Sequence, residues 1–174
     1  MNAIRPIAVT SALDAMLSDI AIASRADPAI RHSAVARAIA PYLGNPTLLA
    51  GRDCPCNPQC YCRHLLHNDP NAGYAVIAIV WTPGQMSPVH AHRTWCAFGV
   101  HRGWLAETYF ERNGTTVTPT NCTPRGPGRI GSAAAHPNTI HRLANLGTEE
   151  AVSIHVYGVV FDDLGTGVNE VYAA

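Results

Sequence analysis

The sequence predicts a mainly β fold, a small β-barrel or double-sheet jelly roll, preceded by N-terminal α-helices. After about residue 50, short apolar runs alternate with Pro-Gly, Asn-Gly and Gly-Pro pairs, which is typical of strands joined by tight turns. Before that point, apolar residues recur at helical spacing. A chain of 174 residues suits one domain with a sound core, so we expect a helical segment, residues 1–50, packed on a barrel formed by residues 51–174.

Two helices are expected before the β region. Apolar and polar residues alternate with a helical period from Ser11 to Ser24 and again from Pro28 to Leu43. Asp27 followed by Pro28 has the form of an N-cap and a first-turn proline, and Gly44-Asn45-Pro46 is expected to stop the second helix.

Apolar runs and turn residues predict the strands. The runs 74–81 and 151–157 are strand-like, and the second can fold back beside the first. Residues 111–114, Glu-Arg-Asn-Gly, are typical of a hairpin turn, and residues 125–129, Arg-Gly-Pro-Gly-Arg, must also turn. Residues 102–105, Arg-Gly-Trp-Leu, are expected to close a further hairpin.

Three histidines indicate a metal site. His90 and His92 lie two residues apart on a predicted strand, so both side chains point to one face, and His141 is the best candidate for a third ligand. No carboxylate is placed to join them, since the next acid after His92 is Glu107. Imidazole suits iron, zinc, copper and nickel alike, so the ligand type leaves the metal open. Three neutral ligands leave the metal charge uncompensated, which favours an anionic substrate ligand such as a thiolate.

Charge and composition indicate which classes of binding partner are expected. The 12 Lys and Arg residues balance the 12 Asp and Glu residues, so the chain lacks the basic footprint of a nucleic-acid-binding protein and a small-molecule partner is expected. The uncharged stretch from Pro6 to Leu13 is far too short to span a bilayer, so no membrane association is expected and a cytoplasmic location is the default. Six cysteines in that compartment are expected to be reduced thiols or metal ligands.

From about Tyr61 to Gly158 the chain resembles the cysteine dioxygenase-like thiol dioxygenases of the cupin superfamily. The matching segments, in order, are Tyr61-Cys62-Arg63, Trp81-Thr82-Pro83-Gly84, Pro88-Val89-His90-Ala91-His92, Gly103 with Glu107-Thr108, Ile140-His141-Arg142, and Ser153-Ile154-His155-Val156-Tyr157-Gly158. The resemblance implies a cupin barrel and an Fe(II) enzyme that inserts both atoms of O₂ into a thiol to give a sulfinate. Small-molecule thiol and O₂ would be its partners, and we expect a monomer or a small homo-oligomer.

The resemblance also assigns roles to individual residues. His90, His92 and His141 would hold iron, and Arg63 matches the family arginine that pairs with the substrate carboxylate. A guanidinium fork is independently the best bidentate binder of a carboxylate. Some family members carry glutamine at this position and prefer 3-mercaptopropionate, so Arg63 favours L-cysteine, with 3-mercaptopropionate or another mercapto acid as the alternative.

Ser153, His155 and Tyr157 alternate with apolar residues, so they share one face of a strand, and we expect that face to look into the barrel. A Ser–His–Tyr hydrogen-bond chain would satisfy all three groups and aim the phenol at the metal. In the family this chain places the tyrosine hydroxyl beside substrate and oxygen. Vertebrate members link a cysteine to that tyrosine by a thioether; Cys96 is its counterpart here, and either a crosslink or a plain buried cysteine is compatible with the sequence.

Two features depart from the family. Ala91 replaces the aspartate usual between the two histidines, and it is expected to point away from the metal. Four cysteines, Cys54, Cys56, Cys60 and Cys62, precede Arg63 and could be reduced or redox-labile thiols or a zinc site. The alternatives left open are an enzyme that uses another metal for isomerisation or hydrolysis, and a non-catalytic cupin sensor with a redox or zinc cysteine cluster.

Overall fold

A computed structural model describes residues 10–165 and 168–173 of the chain. In these residues two helices precede the strands, as predicted, and the ten strands pair only in antiparallel fashion. The helices are α1 (Ala12–Ala23) and α2 (Arg31–Ile39), and short 3₁₀ helices cover Ala40–Tyr42 and Phe161–Asp163. The strands are β1 (Cys62–Asp69), β2 (Tyr74–Trp81), β3 (His90–His92), β4 (Cys96–Arg102), β5 (Leu105–Asn113), β6 (Thr116–Arg125), β7 (Ile130–Ala133), β8 (Ile140–Ala144), β9 (Ala151–Tyr157) and β10 (Asn169–Val171).

The strands form two five-stranded sheets, in the orders β1-β2-β9-β4-β7 and β10-β3-β8-β5-β6. The predicted fold class, a cupin barrel behind N-terminal helices, is confirmed. The predicted return of the 151–157 segment beside the 74–81 segment is also observed, because β9 pairs along the whole of β2. Within the described ranges, no helix combines the length and the apolar character needed to cross a bilayer.

The two helices begin differently. Ser11 caps α1, since its Oγ accepts a hydrogen bond from the Asp14 N–H at 3.0 Å. The second helix begins at Arg31, later than the predicted Pro28. The reason is local: the Asp27 carboxylate accepts the Ala29 N–H at 2.8 Å, so the residues after Asp27 form a turn before the helix starts.

The two predicted hairpin turns have different outcomes. Asn113 pairs with Thr116 across Gly114, which has φ of +63°, so the β5–β6 hairpin is confirmed. The hairpin predicted at residues 102–105 is wrong, because β4 and β5 belong to different sheets. Gly103, with φ of +70°, carries the chain from one sheet to the other, and a Cβ there would lie 2.6 Å from the Glu150 carbonyl oxygen. A tight turn signature does not reveal whether the following strand pairs with the preceding one.

Two apolar layers flank the first sheet and explain why β2 is buried along its whole length. The outer layer joins the helices to the sheet and contains Leu13, Met16, Ile20, Val35, Ile39, Val76, Ala78, Ile154 and Val156. The inner layer lies between the sheets and contains Ala75, Ile77, Ile79, Trp81, Cys96, Phe98, Val100, Leu105, Leu143 and Tyr157. Alternate residues of β2 and β9 therefore face the helices and the barrel interior.

Candidate metal centre and substrate pocket

The three predicted metal-binding histidines meet inside the barrel. His90 and His92 occupy the two ends of β3, and His141 on β8 is the direct strand partner of His90. Their ligating nitrogens all lie within 4.8 Å of one another, and the Nε2 atoms of His92 and His141 are 3.0 Å apart. All three side chains are buried. Two adjacent strands of the second sheet thus bring together residues that are 49 positions apart in the sequence.

Hydrogen bonds orient two of the rings and leave one nitrogen of each free for a metal. The His90 Nδ1–H donates to the Pro88 carbonyl at 2.9 Å, and the His141 Nδ1–H donates to Glu107 Oε1 at 2.9 Å. Both rings therefore present Nε2 to the cluster, which is the usual arrangement of a ligating histidine and its outer partner. On β10, Asn169 is the strand partner of His92, and within the described residues His92 Nδ1 and Asn169 Oδ1 are both buried without a hydrogen-bond partner.

The environment keeps the His90 and His92 rings neutral, which is the form that ligates metals. Burial, followed by the neighbouring histidine His141, lowers the pKa of His90 to about 4. Burial, followed by the neighbouring His90 and His141, lowers the pKa of His92 to about 2. Three converging imidazoles fit a divalent transition metal, so the cluster can hold one.

Sequence reasoning did not assign a role to Glu107, the first acid after the histidine pair. Its side chain is 3% exposed, and besides accepting from His141 it pairs with Arg125 at 2.6 Å. Burial alone would raise the Glu107 pKa, but the His141 hydrogen bond and the Arg125 charge outweigh it and hold that pKa below its usual range. Glu107 therefore contacts the ring of a ligand rather than the metal position, and its charge is balanced by Arg125.

A pocket lined by both polar and apolar side chains opens in front of the histidines. Arg63 lines it from β1, where its backbone pairs with Ile79, another lining residue. The guanidinium donates to the Tyr61 hydroxyl at 3.2 Å, and the Tyr61 ring stacks on Trp81 with centroids 4.7 Å apart. Arg63 thus brings a positive charge to the pocket that the three histidines also line.

The predicted Ser–His–Tyr chain is formed on β9. Ser153 Oγ lies 2.8 Å from His155 Nε2, and the Tyr157 hydroxyl lies 3.1 Å from His155 Nδ1. Burial, followed by the proximity of His141, Arg63 and His90, lowers the pKa of His155 to about 3. Burial also raises the pKa of Tyr157 well above its usual value, so the group facing the pocket is a neutral phenol.

Trp81 extends this chain, which sequence reasoning did not foresee. Its indole Nε1–H donates to Ser153 Oγ at 2.9 Å, and both groups are buried. In the β2–β9 register Trp81 is opposite Ala151, so the contact is diagonal across the strands. The position of a tryptophan at the inward-facing end of β2 was visible in the sequence, but the register that brings it to the serine was not.

Cys96 and Tyr157 are direct strand partners on β4 and β9. Both side chains are buried and both line the pocket. Burial, followed by the charge of Glu107, raises the pKa of the Cys96 thiol, which makes this cysteine a poor thiolate on its own. The structure therefore places side by side the two residues that a thioether would join, and a plain buried cysteine is equally compatible with this arrangement.

The four cysteines before Arg63 do not form a metal cluster. In the parts of the chain that the structure describes, no three of their sulfurs approach to the distances seen among the histidines. Cys56 and Cys60 are exposed, and Cys54 and Cys62 are partly buried. The zinc alternative for this segment therefore gains no support from the geometry.

Ala91 lies between the two histidines but on the opposite side of the sheet. It is fully buried in an apolar cluster with Val89, Phe110, Val117 and Ile140. Its replacement of the expected aspartate therefore changes packing behind the sheet and leaves the ligand set untouched.

Comparison with known proteins identifies a family. The sequence model described as cysteine dioxygenase type I matches residues 12–166. A protein with a double-stranded β-helix domain from Klebsiella pneumoniae subsp. pneumoniae is 20% identical, with a TM-score of 0.47 over 70% of this chain and 90% of that one. A cupin domain of an XRE family transcriptional regulator from Enterobacter cloacae is 16% identical, with a TM-score of 0.45 over 57% and 96%. A cupin superfamily protein from Desulfitobacterium hafniense is 12% identical, with a TM-score of 0.45 over 62% and 83%.

Proposed function

Because the chain belongs to the cysteine dioxygenase type I family, we propose that it is an Fe(II)-dependent thiol dioxygenase that converts a small thiol carboxylate to its sulfinate, with L-cysteine as the leading substrate. The observation that carries the proposal is the presence of the Arg63 guanidinium and the buried histidine cluster in one pocket. The first suits a carboxylate and the second suits a metal that binds a thiolate. Another mercapto acid, such as 3-mercaptopropionate, is the alternative substrate.

The charges around the pocket support a doubly anionic substrate. His90 and His92 are neutral, and the Arg125 charge balances the Glu107 carboxylate. A divalent metal and Arg63 would therefore place two separate positive charges in the cavity. A substrate with a thiolate and a carboxylate compensates both charges, whereas a thiol amine without a carboxylate compensates one.

Each residue then has a defined task. His90, His92 and His141 hold the metal, and Arg63 pairs with the substrate carboxylate and so directs the sulfur toward the histidines. Bound iron(II) would supply the redox chemistry that adds both atoms of O₂ to sulfur, so that RSH and O₂ give RSO₂H with no further reactant. The Tyr157 hydroxyl donates a hydrogen bond into the pocket, with His155 and Ser153 orienting it. Trp81, Phe98 and Leu143 line the cavity with apolar surface that limits water.

The reaction needs a small-molecule thiol and O₂, and no macromolecular partner enters the proposal. We expect a cytoplasmic enzyme, acting as a monomer or a small homo-oligomer. Cys96 is proposed to support Tyr157, either as a buried neighbour or through a thioether.

The test is to measure O₂ uptake and sulfinate formation by iron-loaded protein with cysteine, 3-mercaptopropionate, cysteamine and mercaptosuccinate. We expect coupled consumption of one O₂ per sulfinate, with cysteine preferred over cysteamine. Absence of O₂ uptake with every thiol, despite bound iron, would contradict the proposal and favour a ligand-binding cupin without turnover.

Substitution of Arg63 tests the carboxylate contact. Arg63→Gln should lower kcat/KM for cysteine roughly 5- to 70-fold, because a charge-assisted hydrogen bond is replaced by a neutral one. Turnover of cysteamine, which has no carboxylate, should change little. Arg129→Gln removes an exposed arginine and is the matched control. An equal loss with cysteine and cysteamine would show that Arg63 does not read the carboxylate.

A further inference from the structure

The hydrogen-bond chain on β9 has a defined starting point in the Trp81 indole. Trp81 Nε1 lies 2.9 Å from Ser153 Oγ, which in turn lies 2.8 Å from His155 Nε2. We propose that Trp81 is a positioning residue that preserves the direction of these hydrogen bonds by offering the Ser153 hydroxyl no acceptor, so that the Tyr157 O–H bond points into the pocket. The donors and acceptors along these hydrogen bonds determine where each hydrogen lies.

The first step concerns the serine hydroxyl. An indole N–H can only donate, so Ser153 Oγ must accept from Trp81. Among the described residues, the other partner of this hydroxyl is His155 Nε2, and Ser153 is fully buried. If His155 Nε2–H also donated to the serine, the serine hydrogen would have no acceptor. Leaving a buried donor unpaired disfavours an arrangement by roughly tenfold or more. Ser153 therefore donates to His155 Nε2.

The second step concerns the imidazole. His155 accepts at Nε2, so its single N–H is on Nδ1. A doubly protonated ring would also have to donate from Nε2, which returns the serine to the unpaired state. The ring is stacked on Phe98 with centroids 5.3 Å apart and is 3% exposed, so it cannot rotate to another partner without disturbing the core.

The third step concerns the phenol. His155 Nδ1–H donates to the Tyr157 oxygen at 3.1 Å, so the tyrosine hydrogen points away from the histidine. The Tyr157 side chain lines the same pocket as the three metal-ligating histidines and Arg63. The tyrosine therefore offers a donor to whatever occupies the pocket. If these hydrogen bonds ran in the opposite direction, Tyr157 would donate to His155 and would present only lone pairs to the ligand.

The Trp81 indole can donate a hydrogen bond but cannot accept one, and its role depends on this property. An acceptor in its place would give the Ser153 hydrogen a second possible partner. The hydrogen bonds from Ser153 to His155 and Tyr157 could then all reverse direction. Phenylalanine at this position is neither donor nor acceptor, so it should leave the direction unchanged. Methionine offers a weak sulfur acceptor, so it should permit the reversed arrangement.

The test is the tautomer of His155 in metal-free protein, measured by long-range ¹H–¹⁵N NMR on protein with ¹⁵N-labelled histidine. Comparison with the His155→Gln spectrum assigns the signal. We expect intact protein and Trp81→Phe to carry the proton on Nδ1, and Trp81→Met to show a measurable Nε2–H population. Trp104→Met, at an exposed tryptophan, is the control and should match the intact protein.

An Nε2–H tautomer in the intact protein would overturn the proposal, and this measurement requires no variant to fold. A purely Nδ1–H ring in folded Trp81→Met, or reversal in Trp81→Phe, would show that Trp81 does not set the direction.

The catalytic consequence rests on the proposed dioxygenase function. In iron-loaded Trp81→Met we expect kcat to fall in proportion to the Nε2–H fraction, roughly twofold where half of the molecules carry it, with little change in KM, because those molecules lack the phenol donor. The NMR experiment is made without metal or substrate. Failure of the dioxygenase assay would therefore not affect its result, and a wrong tautomer would not refute the dioxygenase function.

Discussion

Removal of the Glu107 charge should weaken metal binding without removing a ligand. Glu107 Oε1 accepts the His141 Nδ1–H at 2.9 Å inside the barrel, which makes the imidazole a better electron donor at Nε2. In Glu107→Gln the amide oxygen can still accept, but a charge-assisted hydrogen bond worth about 1.5–3 kcal/mol becomes a neutral one worth about 0.5–1.5 kcal/mol. The Arg125 charge, formerly paired with Glu107 at 2.6 Å, then also opposes the cation. We expect the Kd for a divalent metal to rise roughly 10- to 100-fold.

The assay is an anaerobic competition titration against a chromophoric chelator, with Fe²⁺ and with Co²⁺ as an air-stable probe. Glu150→Gln is the matched control, because Glu150 also pairs with an arginine, Arg102, but at the surface. Its Kd should equal that of the intact protein. A Kd within threefold of the intact value in Glu107→Gln would refute the argument that this carboxylate tunes His141.

The partner substitution should have the opposite effect on metal binding. Arg125→Met leaves the Glu107 charge unbalanced beside His141, so metal affinity should be retained or increased. The same change breaks a mostly buried ion pair and should lower the free energy of unfolding of the metal-free protein by about 3–5 kcal/mol. Urea denaturation measures that loss. A weaker metal affinity in both variants would indicate general damage to the barrel rather than an electrostatic effect.

Two further predictions concern acidity and covalent structure. The pKa values of His90, His92 and His155 are lowered to about 4, 2 and 3 in the folded protein, against about 6.5 in an unfolded chain, so the unfolded state binds more protons below pH 6.5. Stability of the metal-free protein should therefore fall by about 5 kcal/mol from pH 7 to pH 5 in urea titrations, and a change below about 1 kcal/mol would contradict the neutral buried state. Cys96 and Tyr157 are strand partners, so a thioether would make the intact protein and Cys96→Ala run differently on a denaturing gel. Equal mobility together with an unmodified Tyr157 peptide in mass spectrometry would exclude the crosslink.

The sequence pattern predicted the inward face of β9 because its two sides meet different surroundings. Ile154 and Val156 pack beneath the helices, while Ser153, His155 and Tyr157 face the barrel interior. Strict alternation along a strand is enough to separate these two sets. The histidine pair on β3 follows from the same period, and one short strand suffices to place both side chains.

The contacts that the sequence pattern did not predict depend on the register between paired strands. That register is undetermined by local sequence where the strands are far apart in the chain or where a β-bulge shifts the pairing. Arg125 is opposite Leu105 on β5, so it reaches Glu107 only diagonally, and the pairing shifts farther along at Tyr109. Nothing in the local sequence determines which diagonal neighbour a long side chain selects. The wrongly predicted hairpin at residues 102–105 has a related cause, since only tertiary packing decides whether a chain leaves its sheet at a glycine.

Ala91 shows how a departure from the family pattern is explained by the packing of this chain. It lies between two histidines of the cluster, yet its side chain belongs to the apolar cluster on the opposite face of the sheet, where it is fully buried. An aspartate there would lose its hydration among Val89, Phe110 and Ile140, and would ionise only at a high energetic cost. Alanine fits this surrounding, and the charge near the histidines is supplied instead by Glu107 through His141. The substitution therefore removes no group that faces the pocket, and it is compatible with a functional metal centre.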